Sequence, residues 1–147
     1  MSETLGVRAE GAVLFVKISA PPMNLLGPEL VRDLVSLIQQ TEADDAVRVL
    51  VFKSADPDYF ISHVDVTRIG ECREAATKLV GEPSLGLLFR HLSASRLVTI
   101  AQIEGRVRGA GNEFVLACDM SYAARDSATR GGEMNLGRLL GELGQTR

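Results

Sequence analysis

VTIAQIEGRVRGAGNEFVLACDMSYAARDSA, residues 98–128, is the stretch whose reading decides the fold. VTIAQIE (98–104) is β-branched and apolar, so it reads as a strand. Gly105, Gly109 and Gly111 punctuate the turn that follows, with Glu113 the carboxylate just beyond them. NEFVLACD (112–119) reads as a buried helix opening near Ala110, and MSYAAR (120–125) as a further strand. Glycine turns of this kind often cradle phosphate, but neither phosphate motif fits. A Walker loop needs Lys then Ser or Thr after its last glycine, where Asn112 and Glu113 stand. The dinucleotide fingerprint is G-x-G-x-x-G, whereas this spacing is G-x-x-x-G-x-G.

Two readings stand. In one, the glycines only permit a tight turn and close packing. In the other, backbone N–H groups at the helix start face a reacting centre, and the partial positive charge there stabilises a developing oxyanion. One such donor is worth roughly 2.7–4 kcal/mol in a transition state. A glutamate buried one turn inside that helix would have its pKa raised by desolvation and would serve as a general acid or base.

Working outward, the rest of the chain alternates. AVLFVKIS (12–19) is a strand, and PPMNLLGP (21–28) breaks regular structure. Pro28 suits the first helical turn. In ELVRDLVSLIQQ (29–40), Leu30, Leu34, Leu37 and Ile38 recur at helical spacing, leaving Arg32, Asp33, Gln39 and Gln40 for solvent. VRVLVFKS (47–54) is a second strand, ADPDYFISHVD (55–65) is irregular, and residues 66–82 are helical in part. PSLGLLFRHLSAS (83–95) is an amphipathic helix with Leu85, Leu88, Phe89 and Leu92 on one face. Alternation of this kind argues α/β, and leaves open a doubly wound sheet or a spiral of strand–strand–helix turns.

Composition narrows the function classes. The chain has 147 residues, a net charge of -3, 46% hydrophobic and 24% charged residues, which suits one globular domain or a piece of one. There is no basic stripe and no aromatic platform, which argues against a nucleic-acid partner. The two cysteines, Cys72 and Cys118, are too far apart for a metal-type pair. No apolar run is long enough to span a bilayer and no N-terminal signal pattern stands out, so no membrane is expected and the expected location is the cytoplasm.

The 98–128 stretch resembles the core motif of the crotonase family, the enoyl-CoA hydratase/isomerase superfamily. That pattern runs from a strand through a glycine-rich turn into a helix bearing a catalytic glutamate, then Leu-Ala-x-Cys-Asp. The chain matches it at Gly105, Gly109, Gly111, Glu113, Leu116, Ala117, Cys118, Asp119 and Ala123. APPMNLLGPELVRDL (20–34) is similar to the family's Pro-x-Asn-Ala-Leu stretch. VRVLVFKSADPDYFISHVDV (47–66) is similar to the strand that enters its Phe-x-Ala-Gly-x-Asp loop; Phe60 and Asp65 match, with Ser62 and His63 where Ala and Gly are usual.

The resemblance implies a spiral of strand–strand–helix turns and an acyl-CoA thioester substrate. The thioester oxygen would sit between the N–H of Val64 and the N–H of Ala110, with Ser62, His63 and Gly109 as possible further contacts. Glu113 matches the family's first catalytic glutamate; ungapped counting puts the second at Glu133. No cofactor is implied beyond the coenzyme A of the substrate. Arg106 and Arg108 either help hold its phosphates or form a solvated loop edge. The reading divides the chain into an incomplete crotonase-like core (1–128) and a divergent tail (129–147). Family members continue further, so the C-terminal helices are expected to be missing, through truncation, a frameshift or a naturally short gene. A homo-oligomer or a complementing subunit is the expected partner. The alternative is a non-catalytic fragment that binds acyl-CoA or another subunit.

Overall fold

The computed structural model describes residues 2–123. The chain opens with a hairpin: β1 (Leu5–Glu10) runs antiparallel to β2 (Val13–Ile18), with Glu10 opposite Val13. The sequence reading missed β1. Its Leu5, Val7 and Ala9 alternate over only six residues, and only Leu5 is buried. Its charged Arg8 and Glu10 suit a sheet edge, where charge discourages pairing with other chains.

α1 (Pro28–Glu42) begins with Pro28 in its first turn, as expected, and buries Leu30, Val31, Leu34, Val35, Leu37 and Ile38. Asp33 departs from expectation. Its Oδ2 accepts from the amides of Glu3 (2.9 Å) and Thr4 (2.7 Å) and from the Thr4 hydroxyl (2.7 Å), so it ties the N-terminal segment to α1 instead of facing solvent.

β3 (Val49–Ser54) follows, starting two residues later than the sequence suggests, then the short β4 (Tyr59–Ile61) inside the stretch read as irregular. A 3-10 turn (Val66–Arg68) leads into α2 (Ile69–Val80), and α3 (Leu85–Ser93) comes next. β5 (Val98–Ile103), β6 (Arg106–Val107), α4 (Ala110–Ala117) and β7 (Met120–Ala123) complete the described residues.

The main sheet has the order β1-β2-β3-β5-β7, parallel from β2 onward; β4 and β6 pair in parallel in a second, two-stranded sheet. β3–β4 followed by helices, then β5–β6 followed by α4, are two successive strand–strand–helix turns. Their first strands are neighbours in one sheet and their second strands are neighbours in the other. That arrangement is a spiral, which decides between the two α/β architectures left open by chain order.

The helices pack in sequence, α1 on α2, α2 on α3 and α3 on α4. Phe114 fastens α4 to the core. Its ring stands edge-on to Phe52 of β3 (centroids 5.0 Å apart, 84°) and to Phe89 of α3 (6.4 Å, 78°). Such pairs add about 0.5–1.5 kcal/mol beyond area burial. No helix among the described residues is long and apolar enough to cross a membrane.

Candidate functional site

The site grows from a close approach of two backbones. A Cβ on Gly105 would come within 2.6 Å of the Asp58 carbonyl oxygen and the Tyr59 nitrogen. A Cβ on Gly111 would lie 2.9 Å from the Ile61 Cβ. No larger residue fits either place, so here the glycines serve packing first. The packing is what aligns the two segments: β6 pairs with β4, the Arg106 amide donates to the Asp58 carbonyl (2.8 Å), and the Arg108 amide to that of Ile61 (3.3 Å).

Immediately beyond this seam lie His63 and Gly109. A Cβ on Gly109 would meet the His63 Cβ at 3.4 Å. The next residue on one side is Val64, and on the other Ala110, the first residue of α4. Val64 is held by a parallel bridge to Leu26: the Leu26 amide donates to the His63 carbonyl (2.8 Å) and the Asp65 amide to the Leu26 carbonyl (3.0 Å). The bridge uses the carbonyl before Val64 and the N–H after it, so the N–H of Val64 faces away from Leu26. The N–H of Ala110 belongs to the first helical turn, which has no intrahelical acceptor. Neither N–H has a hydrogen-bond partner among the described residues.

Three further groups hold the 60–65 loop. Asn24, buried, accepts from the Ala20 amide (2.8 Å) and donates to the Ser54 hydroxyl (2.6 Å) and the Phe60 carbonyl (2.9 Å). It carries the contribution of the PMNLLG turn, a role the sequence reading did not assign. Asp65 accepts from the Thr67 hydroxyl (2.6 Å) and amide (3.1 Å), and these bonds hold its carboxyl below the usual range. Arg68 then pairs with Glu29 (2.9 Å) and Glu71 (2.7 Å).

Glu113 is exposed, contrary to the expectation of a buried carboxyl. Phe114 and Val115 take the core face of α4 and turn Glu113 outward. Its amide donates to the Gly109 carbonyl (3.1 Å), which places the residue one helical turn beyond Gly109. Ser62 is buried at 1% exposure, and its hydroxyl has no partner among the described residues. Glu133 and the tail from 129 lie outside the described residues.

The remaining residues singled out from sequence have structural partners. Asp119 accepts from the Thr99 amide (2.8 Å) and hydroxyl (3.2 Å), joining the start of β7 to β5. Burial pushes the Cys118 thiol up to about 12, far from a reactive thiolate. His91 reaches both Glu42 oxygens (3.0 and 3.1 Å). Arg106 lies over the Tyr59 ring, 5.6 Å from its centroid, and donates to the Tyr59 hydroxyl (3.2 Å). Among the described residues no group of His, Cys, Asp and Glu is placed to hold a metal ion.

Comparison with known proteins agrees with this fold. A family model described as enoyl-CoA hydratase/isomerase matches residues 8–147. A Streptomyces avermitilis structure described as a candidate enoyl-CoA hydratase is 51% identical, with a TM-score of 0.81, over 85% of this chain and 46% of that one. Pseudomonas aeruginosa DspI is 30% identical (TM-score 0.70; 84% of this chain, 50% of that one). An enoyl-CoA hydratase/isomerase family protein from Silicibacter pomeroyi is 25% identical (TM-score 0.67; 82% and 50%). The chain spans about half the length of these structures.

Proposed function

The chain belongs to the enoyl-CoA hydratase/isomerase family, and from that premise we propose that it binds an acyl-CoA thioester and stabilises its enolate. The single observation that carries the reading is the pair of N–H groups, on Val64 and Ala110, that have no partner among the described residues and flank the His63–Gly109 contact.

The chemistry follows from the charge that moves. Loss of a proton from the α-carbon of a thioester sends an electron pair toward the carbonyl oxygen. Two fixed N–H donors receive that charge without reorganising, and the N-terminus of α4 adds its partial positive charge. Glu113 carries the proton. Its exposed carboxylate is open to substrate from the solvent side. Glu133 is the proposed second glutamate in the hydration form of the reaction, on the sequence resemblance alone. The same reading includes a cytoplasmic location, and assembly with further copies or a complementing subunit.

A second reading is a module that binds acyl-CoA without turnover. The exposure of Glu113 favours it, because an exposed carboxylate is not fixed by packing against a reacting atom. Glu113→Gln separates the two. An enzyme keeps acyl-CoA binding and loses about 100-fold or more of its turnover. A chain that turns over acyl-CoA equally well with glutamine overturns the role of Glu113, and one that binds without turning over establishes the second reading.

A further inference from the structure

Resting on the thioester site above, we propose that His63 is its second proton-transfer residue, acting with Glu113 on a β,γ-unsaturated acyl-CoA. His63 Nδ1 lies 2.8 Å from the Val64 carbonyl oxygen. A carbonyl only accepts, so Nδ1 carries a hydrogen and Nε2 is the ring nitrogen left to exchange a proton with substrate. Nε2 has no partner among the described residues, and the ring is exposed. His91, the other histidine, instead has its Nε2 on Glu42.

A Cβ on Gly109 would meet the His63 Cβ at 3.4 Å, and the Gly109 carbonyl accepts the Glu113 amide (3.1 Å). His63 therefore lies beside Gly109, and Glu113 one helical turn beyond it. The residues next to His63 and Gly109 supply the two N–H donors. The charged groups on the elements around the ring are Asp65, whose carboxyl is held down chiefly by the Thr67 hydroxyl, Arg68 with its partner Glu29, and Arg106, Arg108 and Glu113 from the glycine turn and α4.

The Glu113 carboxylate takes the α-proton. The C–H pair forms the carbon–carbon double bond of a dienolate, and the carbonyl π pair moves onto oxygen, between the Val64 and Ala110 N–H groups. The His63 imidazolium then gives its Nε2 proton to the γ-carbon. The β,γ pair bonds that proton, the pair at the α-carbon becomes the α,β double bond, and the carbonyl re-forms. One proton passes through water from Glu113 to His63 and restores both.

The test uses the 147-residue chain in deuterium oxide. Vinylacetyl-CoA reports protonation at the γ-carbon, and butyryl-CoA reports exchange at the α-carbon alone. His63→Asn keeps an N–H for the Val64 carbonyl but cannot carry a proton. We expect wild type to exchange the α-proton and to isomerise with deuterium at the γ-carbon. His63→Asn should keep α-exchange and lose isomerisation by about 100-fold or more. Isomerisation at the wild-type rate in His63→Asn overturns the role of His63, as does a wild type that exchanges but never isomerises; in both cases the thioester site stands. A wild type that does neither overturns the thioester reading and this inference with it. Should His63→Asn fail to fold, nitrogen NMR of the wild-type ring decides: binding of acetoacetyl-CoA shifts His63 Nε2 and leaves His91 in place. An unmoved His63 with ligand bound contradicts the proposal.

Discussion

Gly111 and Ile61 lie so close that a side chain on Gly111 has no room: its Cβ would stand 2.9 Å from the Ile61 Cβ and closer still to the Ile61 carbonyl oxygen. This is the seam that brings the 60–65 loop beside the start of α4.

Gly111→Ala should therefore separate the two segments. Overpacking of this kind costs typically about 1–3 kcal/mol, and here the clashing atoms include backbone, which cannot rotate away. Urea unfolding measures the loss, and acyl-CoA binding should weaken in the same variant. An unchanged midpoint would show that the seam is looser than the geometry states.

Asn24→Ala should destabilise by about 1–3 kcal/mol, because it leaves the buried Phe60 carbonyl without its donor. The loss should appear as a lower Tm. Asn24→Asp should also lower it, since the donating amide becomes an acceptor facing a carbonyl.

Phe114→Ala should cost about 3–5 kcal/mol. It removes the ring that Phe52 and Phe89 clasp, and with it the anchor of α4. Phe114→Leu should fall well short of that loss in the same unfolding experiment.

Asp33 gives the fold an acid limit. Burial by itself raises the Asp33 pKa, but the hydroxyl and amide of Thr4, with Ser2 and the Glu3 amide, outweigh it and hold the carboxyl below its ordinary 3.8. A depressed folded-state value means stability present above 3.8 and lost as pH falls through the lower folded value. Stability against pH should therefore fall off below pH 3.8, and Asp33→Asn should flatten that part of the curve. An identical slope in the variant would remove Asp33 from the account.

Much of this was legible in the sequence where the pattern is local. The spacing of Gly105, Gly109, Gly111 and Glu113 located the turn and helix, and the period of Leu30, Leu34, Leu37 and Ile38 marked α1. β4 and β6 were not legible, because strands of three and two residues are too short to show a period. Asp33 escaped because its partners lie about thirty residues away in the N-terminal segment. The exposure of Glu113 escaped because tertiary packing of Phe114, not helix periodicity, sets which face of an eight-residue helix turns inward.

The central claim is that the Val64 and Ala110 N–H groups hold a thioester oxygen, and a thermal melt with saturating acetoacetyl-CoA tests it most directly. Ligand at about 100 times its Kd stabilises a folded site by about 2.7 kcal/mol, a rise of roughly 5–10 °C for a chain of this size. Ala110→Pro removes one donor at a helix position where proline is tolerated. The account predicts a cooperative melt that rises with ligand in wild type and rises much less in Ala110→Pro. A melt that ligand leaves unmoved, or that rises equally in both, would contradict it.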